Sequence, residues 1–215
     1  MSKPLITIIK RGPCVTSAVK VLITQGGNKI ELDDHAKLCR CGESLDKPFC
    51  DGLHEILEFE DEKDPYRAPD NVDVYEGKNI TIYFDTGICS HRGICYEELP
   101  SVWLEHDVKP DGAPIEEIID ICKRCPSGAL SYQLPNKERC QTGLEVQPQI
   151  SLAPKRYGFD GPLEVAGGVE LVDPEGNKPA TMDHYALCRC GKSKNLPFCS
   201  GEHWAVKFED ENNDE

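Results

Sequence analysis

A chain of 215 residues with 38 Asp and Glu against 24 Lys and Arg carries a formal net charge of −14. That sign is wrong for nucleic acid or an anionic membrane surface, since both are bound by positive charge. The length allows one large domain or two to three small ones, and 18 glycines with 16 prolines favour short elements and many turns.

In chain order, Pro4–Ile9 and Val15–Leu32 are rich in Val, Ile and Thr and are broken by Gly26-Gly27-Asn28, which predicts short strands and a hairpin turn. A cysteine-bearing stretch follows, and within it Pro48, Cys50 and Asp51 predict a helix entrance with Asp51 as N-cap. That helix must be short, because Glu58–Asn71 is charged, broken by proline and reads as a linker. Val74–Phe84 is strand material with a turn at Glu76-Gly77, and Cys89 and Cys95 come just after it. Beyond a loop at Lys109-Pro110-Asp111-Gly112, Pro114 opens a helix. Its Ile115, Ile118, Ile119 and Cys122 recur at i, i+3, i+4 and i+7 and form one apolar face. Cys125-Pro126-Ser127-Gly128 ends it, and Ala129–Leu134 reads as a return strand. Asn136–Asp160, with Pro148 and Pro154, reads as a second linker, and the acidic Glu209–Glu215 as a disordered tail.

The feature that organises the chain is a duplication. His35–His54 reads HAKLCRCGESLDKPFCDGLH and His184–His203 reads HYALCRCGKSKNLPFCSGEH, at a constant offset of 149. The fixed points are Cys39, Cys41, Cys50 and His54, and again Cys188, Cys190, Cys199 and His203. Residues i and i+2 of an extended segment point to one side, so Cys39 with Cys41, and Cys188 with Cys190, are expected to grip one object. Residues i and i+4 of a helix share a face, so Cys50 with His54, and Cys199 with His203, are expected to close the site. Gly42 and Gly191 should leave room beside the second thiolate, and Pro48 and Pro197 should stiffen the returning loop. Arg40 and Arg189 are expected either to face solvent or to offset charge in the site. His35 and His184 should cap or pack, Trp103 and Trp204 should lie in the core, and Cys14 and Cys140 should be ordinary small residues. Three cysteines and one histidine suit tetrahedral zinc and an iron–sulfur cluster alike, and the spacing leaves both open.

A resemblance narrows the choice. The pattern C-x-C-x2-S-x3-P-x-C-x-G-x-H is similar to that of the CDGSH iron–sulfur domain, the mitoNEET-like family. Cys39, Cys41, Ser44, Pro48, Cys50, Asp51, Gly52 and His54 fill it once, and Cys188, Cys190, Ser193, Pro197, Cys199, Gly201 and His203 fill it again. Leu53 and Glu202 stand in place of the family's Ser, and Ser200 in place of its Asp. The resemblance implies a 2Fe-2S cluster held by three Cys and one His in each repeat. It also implies an α+β chain in which two small β-rich modules, 1–60 and 148–208, form an intramolecular pseudo-dimer, with 209–215 as a tail.

The middle section, 72–139, resembles a divergent single-cluster ferredoxin domain, because Cys89-x5-Cys95 is followed by a helix that ends in Cys125-Pro126. Arg92 stands where a four-iron ferredoxin has a cysteine. Three ligands, Cys89, Cys95 and Cys125, suit a 3Fe-4S cluster, and a 4Fe-4S cluster needs a fourth from His91, Cys122 or elsewhere. Cys122 lies on the apolar helix face and reads as core.

The N-terminal MSKPLITIIKRGPC has no apolar run of signal-peptide length, and no stretch approaches the roughly twenty apolar residues of a membrane span. The expectation is therefore a cytoplasmic protein whose thiols serve metal rather than disulfides. No nucleophile–base pair, phosphate loop or dinucleotide fingerprint is present, so an enzyme is not expected. The expected function is electron transfer to redox partner proteins by a monomer whose repeats pair with each other. Cluster storage and transfer to apo-iron–sulfur proteins is one alternative, and a zinc-stabilised interaction module another. One titratable imidazole per repeat is expected to couple electron gain to protonation.

Overall fold

Short runs of β-branched residues separated by Gly, Pro and Asp fold as short strands. The computed structural model describes residues 3–66, 72–104, 107–140, 146–180 and 183–213. The first repeat supplies β1 (Leu5–Ile8), β2 (Cys14–Ser17), β3 (Val21–Ile23), β4 (Lys29–Glu31), β5 (Lys37–Leu38) and the one-turn helix α1 (Leu53–Ile56). The middle section supplies β6 (Val72–Glu76), β7 (Thr81–Asp85), α2 (Ile94–Glu98), β8 (Trp103–Leu104), β9 (Asp107–Val108), α3 (Ile115–Arg124) and β10 (Leu130–Gln133). The second repeat supplies β11 (Gln149–Leu152), β12 (Leu163–Ala166), β13 (Glu170–Val172) and β14 (His184–Leu187). The architecture is mixed and rich in sheet, with few helices.

The two repeats exchange strands. One sheet runs β13-β1-β2-β5 and another β14-β12-β11-β3-β4. So β13 of the second repeat lies parallel to β1 of the first, Leu5 opposite Glu170, and β3 of the first lies parallel to β11 of the second, Leu22 opposite Ile150. Neither sheet is complete without the other repeat. Their inward faces share one core containing Ile6, Leu22, Leu38, Ile150, Leu163 and Leu187. Replacing Leu22, which is fully buried, with alanine is expected to cost about 2–5 kcal/mol. The loss should appear in urea as an earlier single transition for both repeats, because each holds part of the other's sheet. Two separate transitions would contradict that coupling.

The middle section forms its own sheet, β10-β7-β6, covered by α3. Glu116 and Glu117 in the first turn of α3 and Lys123 and Arg124 in its last match the helix dipole. Its buried face is Ile118, Ile121 and Cys122, with Ile115 and Ile119 only partly buried at the edge of the same core. The sequence pattern therefore placed the face slightly off its centre. Trp103 is buried as expected, but Trp204 is partly exposed and packs at the surface against Tyr157, ring centroids 5.1 Å apart.

Both apparent linkers carry structure. In the first, Asp61 is buried, while residues 67–71 lie outside the described residues. The second contains β11 and the fully buried Asp160. The acidic tail is not loose up to residue 213. Asp210 and Asn213 are buried, and Asn213 accepts a hydrogen bond from the Gln25 amide and donates one to the Ala153 carbonyl. Residues 214–215 lie outside the described residues. Among the described residues, no helix is long and apolar enough to cross a membrane.

Candidate metal centres

In each repeat the strand that opens the motif, β5 or β14, leads into a bend. Leu38 ends β5, and Gly42 takes φ 84 just after Cys41, so the C-x-C segment is curled rather than extended. The curl brings the Cys39 and Cys41 sulfurs to 3.7 Å, and the Cys188 and Cys190 sulfurs to the same distance. The returning chain is fixed by backbone bonds. The Cys39 amide donates to the Pro48 carbonyl at 2.8 Å and the Cys50 amide to the Lys37 carbonyl at 2.9 Å. The Cys188 amide donates to Pro197 and the Cys199 amide to Ala186 in the same way. Ser44 and Ser193 stiffen the loop, each hydroxyl donating at 2.6 Å to a carbonyl, of Phe49 and of Phe198.

The second pair of donors closes on a turn. Cys50 Sγ is 3.3 Å from His54 Nδ1, and Cys199 Sγ is 3.5 Å from His203 Nδ1. Cys50 precedes α1, and Glu202–Lys207 are successive turns rather than a helix, so the expected i, i+4 helical face is not what pairs them. Gly52 is the N-cap, and Asp51 one residue earlier accepts from the Leu53 and Leu45 amides. Ser200 accepts from the Lys194 amide and so replaces one of those two bonds.

These spacings suit a metal. Two donors on one tetrahedral metal with bonds of about 2.3 Å stand about 3.8 Å apart. Each repeat thus offers two tetrahedron edges, one Cys–Cys and one Cys–His. Among the described residues, no three of His, Cys, Asp and Glu gather as the ligand set of one ion. One thiolate of each Cys–Cys pair forms readily, whereas burial raises the thiols of Cys50 and Cys199. The Cys39 thiol is drawn down to about 6 and Cys188 to about 7, chiefly because the neighbouring cysteine donates to the sulfur. The donating thiols, Cys41 and Cys190, are held up correspondingly. Burial, then His91 and Arg189, lowers His203 to about 4, so its ring is neutral near pH 7. None of the twelve cysteines is in a disulfide.

Arg40 and Arg189 do not face solvent. Both are buried and held by carboxylates, Arg40 by Asp61 at 2.6 Å and Arg189 by Asp210 and Asp160. Arg40 Nε also donates to the Gly12 carbonyl, as Arg189 Nε does to the Gly161 carbonyl. Each guanidinium lies over a phenylalanine ring, Phe59 at 5.6 Å and Phe208 at 5.0 Å. Gly42 and Gly191 do more than leave room beside a thiolate. They let the repeats meet, since a Cβ on Gly42 would lie 2.5 Å from the Cys190 carbonyl oxygen and one on Gly191 2.2 Å from that of Cys41. The C-x-C bends of the two repeats are therefore in contact.

In the middle section Cys89, Cys95 and Cys125 share one core. Burial, then the charge of Cys125, pushes Cys89 up to about 12 and Cys95 up to about 11, an expense that a bound cation would reverse. Cys122 is buried among apolar side chains, as expected. His91 turns to the second repeat, where its ring fills the space a Cβ on Gly201 would need, 2.1 Å from Cδ2. Cys14 is core and Cys140 bridges to Tyr132 through the backbone. His35 is exposed, whereas His184 is buried, with no hydrogen bond of good geometry to either ring nitrogen.

Paired thiols and imidazoles of this kind define a cysteine–histidine metal-binding protein. The family described as an iron-binding zinc finger of CDGSH type matches residues 11–55 and 160–204, and one described as a divergent 4Fe-4S mono-cluster matches residues 75–135. The chain belongs to the CDGSH iron-binding family, with two such domains flanking a divergent 4Fe-4S mono-cluster domain. It is also similar to a protein of Escherichia coli K12 named "Uncharacterized protein YjdI", 34% identical over 62 residues that cover 27% of this chain and 82% of that one. The protein of that name from strain O157:H7 matches to the same extent. No solved structure matches the chain.

Proposed function

We propose that the chain is an electron carrier with three iron–sulfur clusters. A 2Fe-2S cluster is assigned to Cys39, Cys41, Cys50 and His54, and another to Cys188, Cys190, Cys199 and His203. A 3Fe-4S or 4Fe-4S cluster is assigned to Cys89, Cys95 and Cys125. With one imidazole among thiolates, such a centre supplies one-electron chemistry at a higher potential than an all-thiolate one. The observation that carries the reading is the division of each quartet into two edges, 3.7 Å and 3.3 or 3.5 Å long. Two edges suit two irons bridged by sulfide, whereas one zinc ion would gather all four donors around a single point. The reciprocal strand exchange supports an intramolecular pseudo-dimer of the CDGSH modules, with the ferredoxin-like domain inserted between them.

The residues around each quartet orient it. Backbone bonds fix the thiols, the buried Arg–Asp pairs hold the adjoining loops, and each histidine presents Nδ1 to the site. Redox partner proteins are the proposed acceptors and donors, and cluster transfer to apo-iron–sulfur proteins is the second reading. That second reading is favoured by the partly exposed Cys50 and His54. Iron and acid-labile sulfide in anaerobically purified protein test the assignment. About seven irons per chain are expected with a three-iron middle site and about eight with a four-iron one, with about eight labile sulfides in either case. Sulfide-free protein loaded with zinc would end the reading. Rapid appearance of a cluster in an added apo-ferredoxin would favour transfer over electron carriage.

A further inference from the structure

We propose that the two CDGSH sites are not equivalent: the His54 site is the port through which the chain exchanges with its surroundings, and the His203 site is an internal one closed by the middle domain. This rests on the iron–sulfur reading above. The clearest comparison is between matching glycines. A Cβ on Gly52 would meet nothing within 4 Å, while the same position in the second module, Gly201, is covered by the His91 ring. Cys50 and His54 are partly exposed, and Cys199 and His203 are buried. Beside His54 lies an open groove of about 530 Å³ that reaches Lys10, Arg11 and Glu58.

The cover is held by contacts that have no counterpart in the first module. Buried Asn195 donates to the Gly87 carbonyl at 2.9 Å, and Arg92 of the middle domain pairs with Glu164 at 2.7 Å. The connection between the first two strands also differs. Residues 9–13 join β1 to β2, while residues 153–162 join β11 to β12, ten residues in place of five. The longer loop carries Arg156, which donates to the His91 carbonyl at 2.9 Å and pairs with Glu97. The second module thus spends its extra residues on holding the His91 segment against its own site.

The test is the rate at which a chelator removes iron from the full, cluster-loaded chain, followed by loss of visible absorption. Cys50→Ser should abolish a fast phase and Cys199→Ser a slow one, with circular dichroism checking that each variant keeps its fold. His91→Gly should quicken the slow phase by about tenfold, the scale on which outer partners of a metal site act, and leave the fast phase unchanged. Glycine suits that position, because His91 stands at φ 52. Equal rates at the two sites, a fast phase lost in Cys199→Ser, or a slow phase indifferent to His91→Gly would overturn the proposal alone. Protein without labile sulfide would overturn the iron–sulfur reading beneath it.

Discussion

Asp61→Ala is expected to destabilise the iron-loaded chain by about 3–5 kcal/mol, because it leaves the buried Arg40 guanidinium without its carboxylate. Arg40 and Asp61 side chains are 1% and 7% exposed, so water cannot replace the lost partner. Against a usual total of about 5–15 kcal/mol, the loss takes a large part of the stability. The neighbouring residue is the control. Glu60 pairs with Arg11, both more than half exposed, and Glu60→Ala should change stability by no more than about 1 kcal/mol. Urea midpoints of the two variants measure the contrast, and equal effects would show that burial of the Arg40 pair is not what matters. A second readout follows from the loop that Arg40 holds. Its guanidinium donates to the Ile9 and Gly12 carbonyls, and Gly12 adjoins His54, where a Cβ would lie 3.6 Å from Nε2. Asp61→Ala should therefore also speed loss of iron from the first site.

The candidate ligands stood out in the sequence because metal chemistry restricts both residue type and spacing, and duplication repeats the signal. The strands were legible where Val, Ile and Thr cluster between turn residues. What escaped were partners set by long-range contact. Asp61 sits in a run of charges that reads as a solvated linker, and only the fold brings it to Arg40, 21 residues away. A usable signal was present all the same. Phe59-Glu60-Asp61 recurs unchanged as Phe208-Glu209-Asp210 at the repeat offset, inside segments that otherwise diverge. The same blindness turned β11 into linker, since Gln149–Leu152 is short and its neighbours β3 and β12 are remote or not yet read. Trp204 was misplaced for a different reason. Size and apolarity argue for the core, but the lengthened loop provides Tyr157 and Arg156 as a surface bed for the indole.

Gly42→Ala should damage the site of the other repeat as well as its own. The backbone cost alone, for a non-glycine residue at φ 84, is about 1–3 kcal/mol. To this is added a collision that cannot relax by moving a side chain, because the added methyl would lie 2.5 Å from the Cys190 carbonyl oxygen and 2.7 Å from its carbon. Either the repeats separate or the Cys188–Cys190 bend distorts, and both outcomes loosen the thiols of the second quartet. Gly52→Ala separates the two causes. Its φ of 94 imposes comparable strain, yet nothing lies within 4 Å of the new methyl. The expected result is a modest loss of stability with iron retained at the second site for Gly52→Ala, and a larger loss with iron depleted there for Gly42→Ala. Iron per chain, counted in a Cys50→Ser background that removes the first site, reads this directly. Equal iron retention in the two variants would mean that the quartets do not depend on close contact between the repeats, and that each module holds its metal alone.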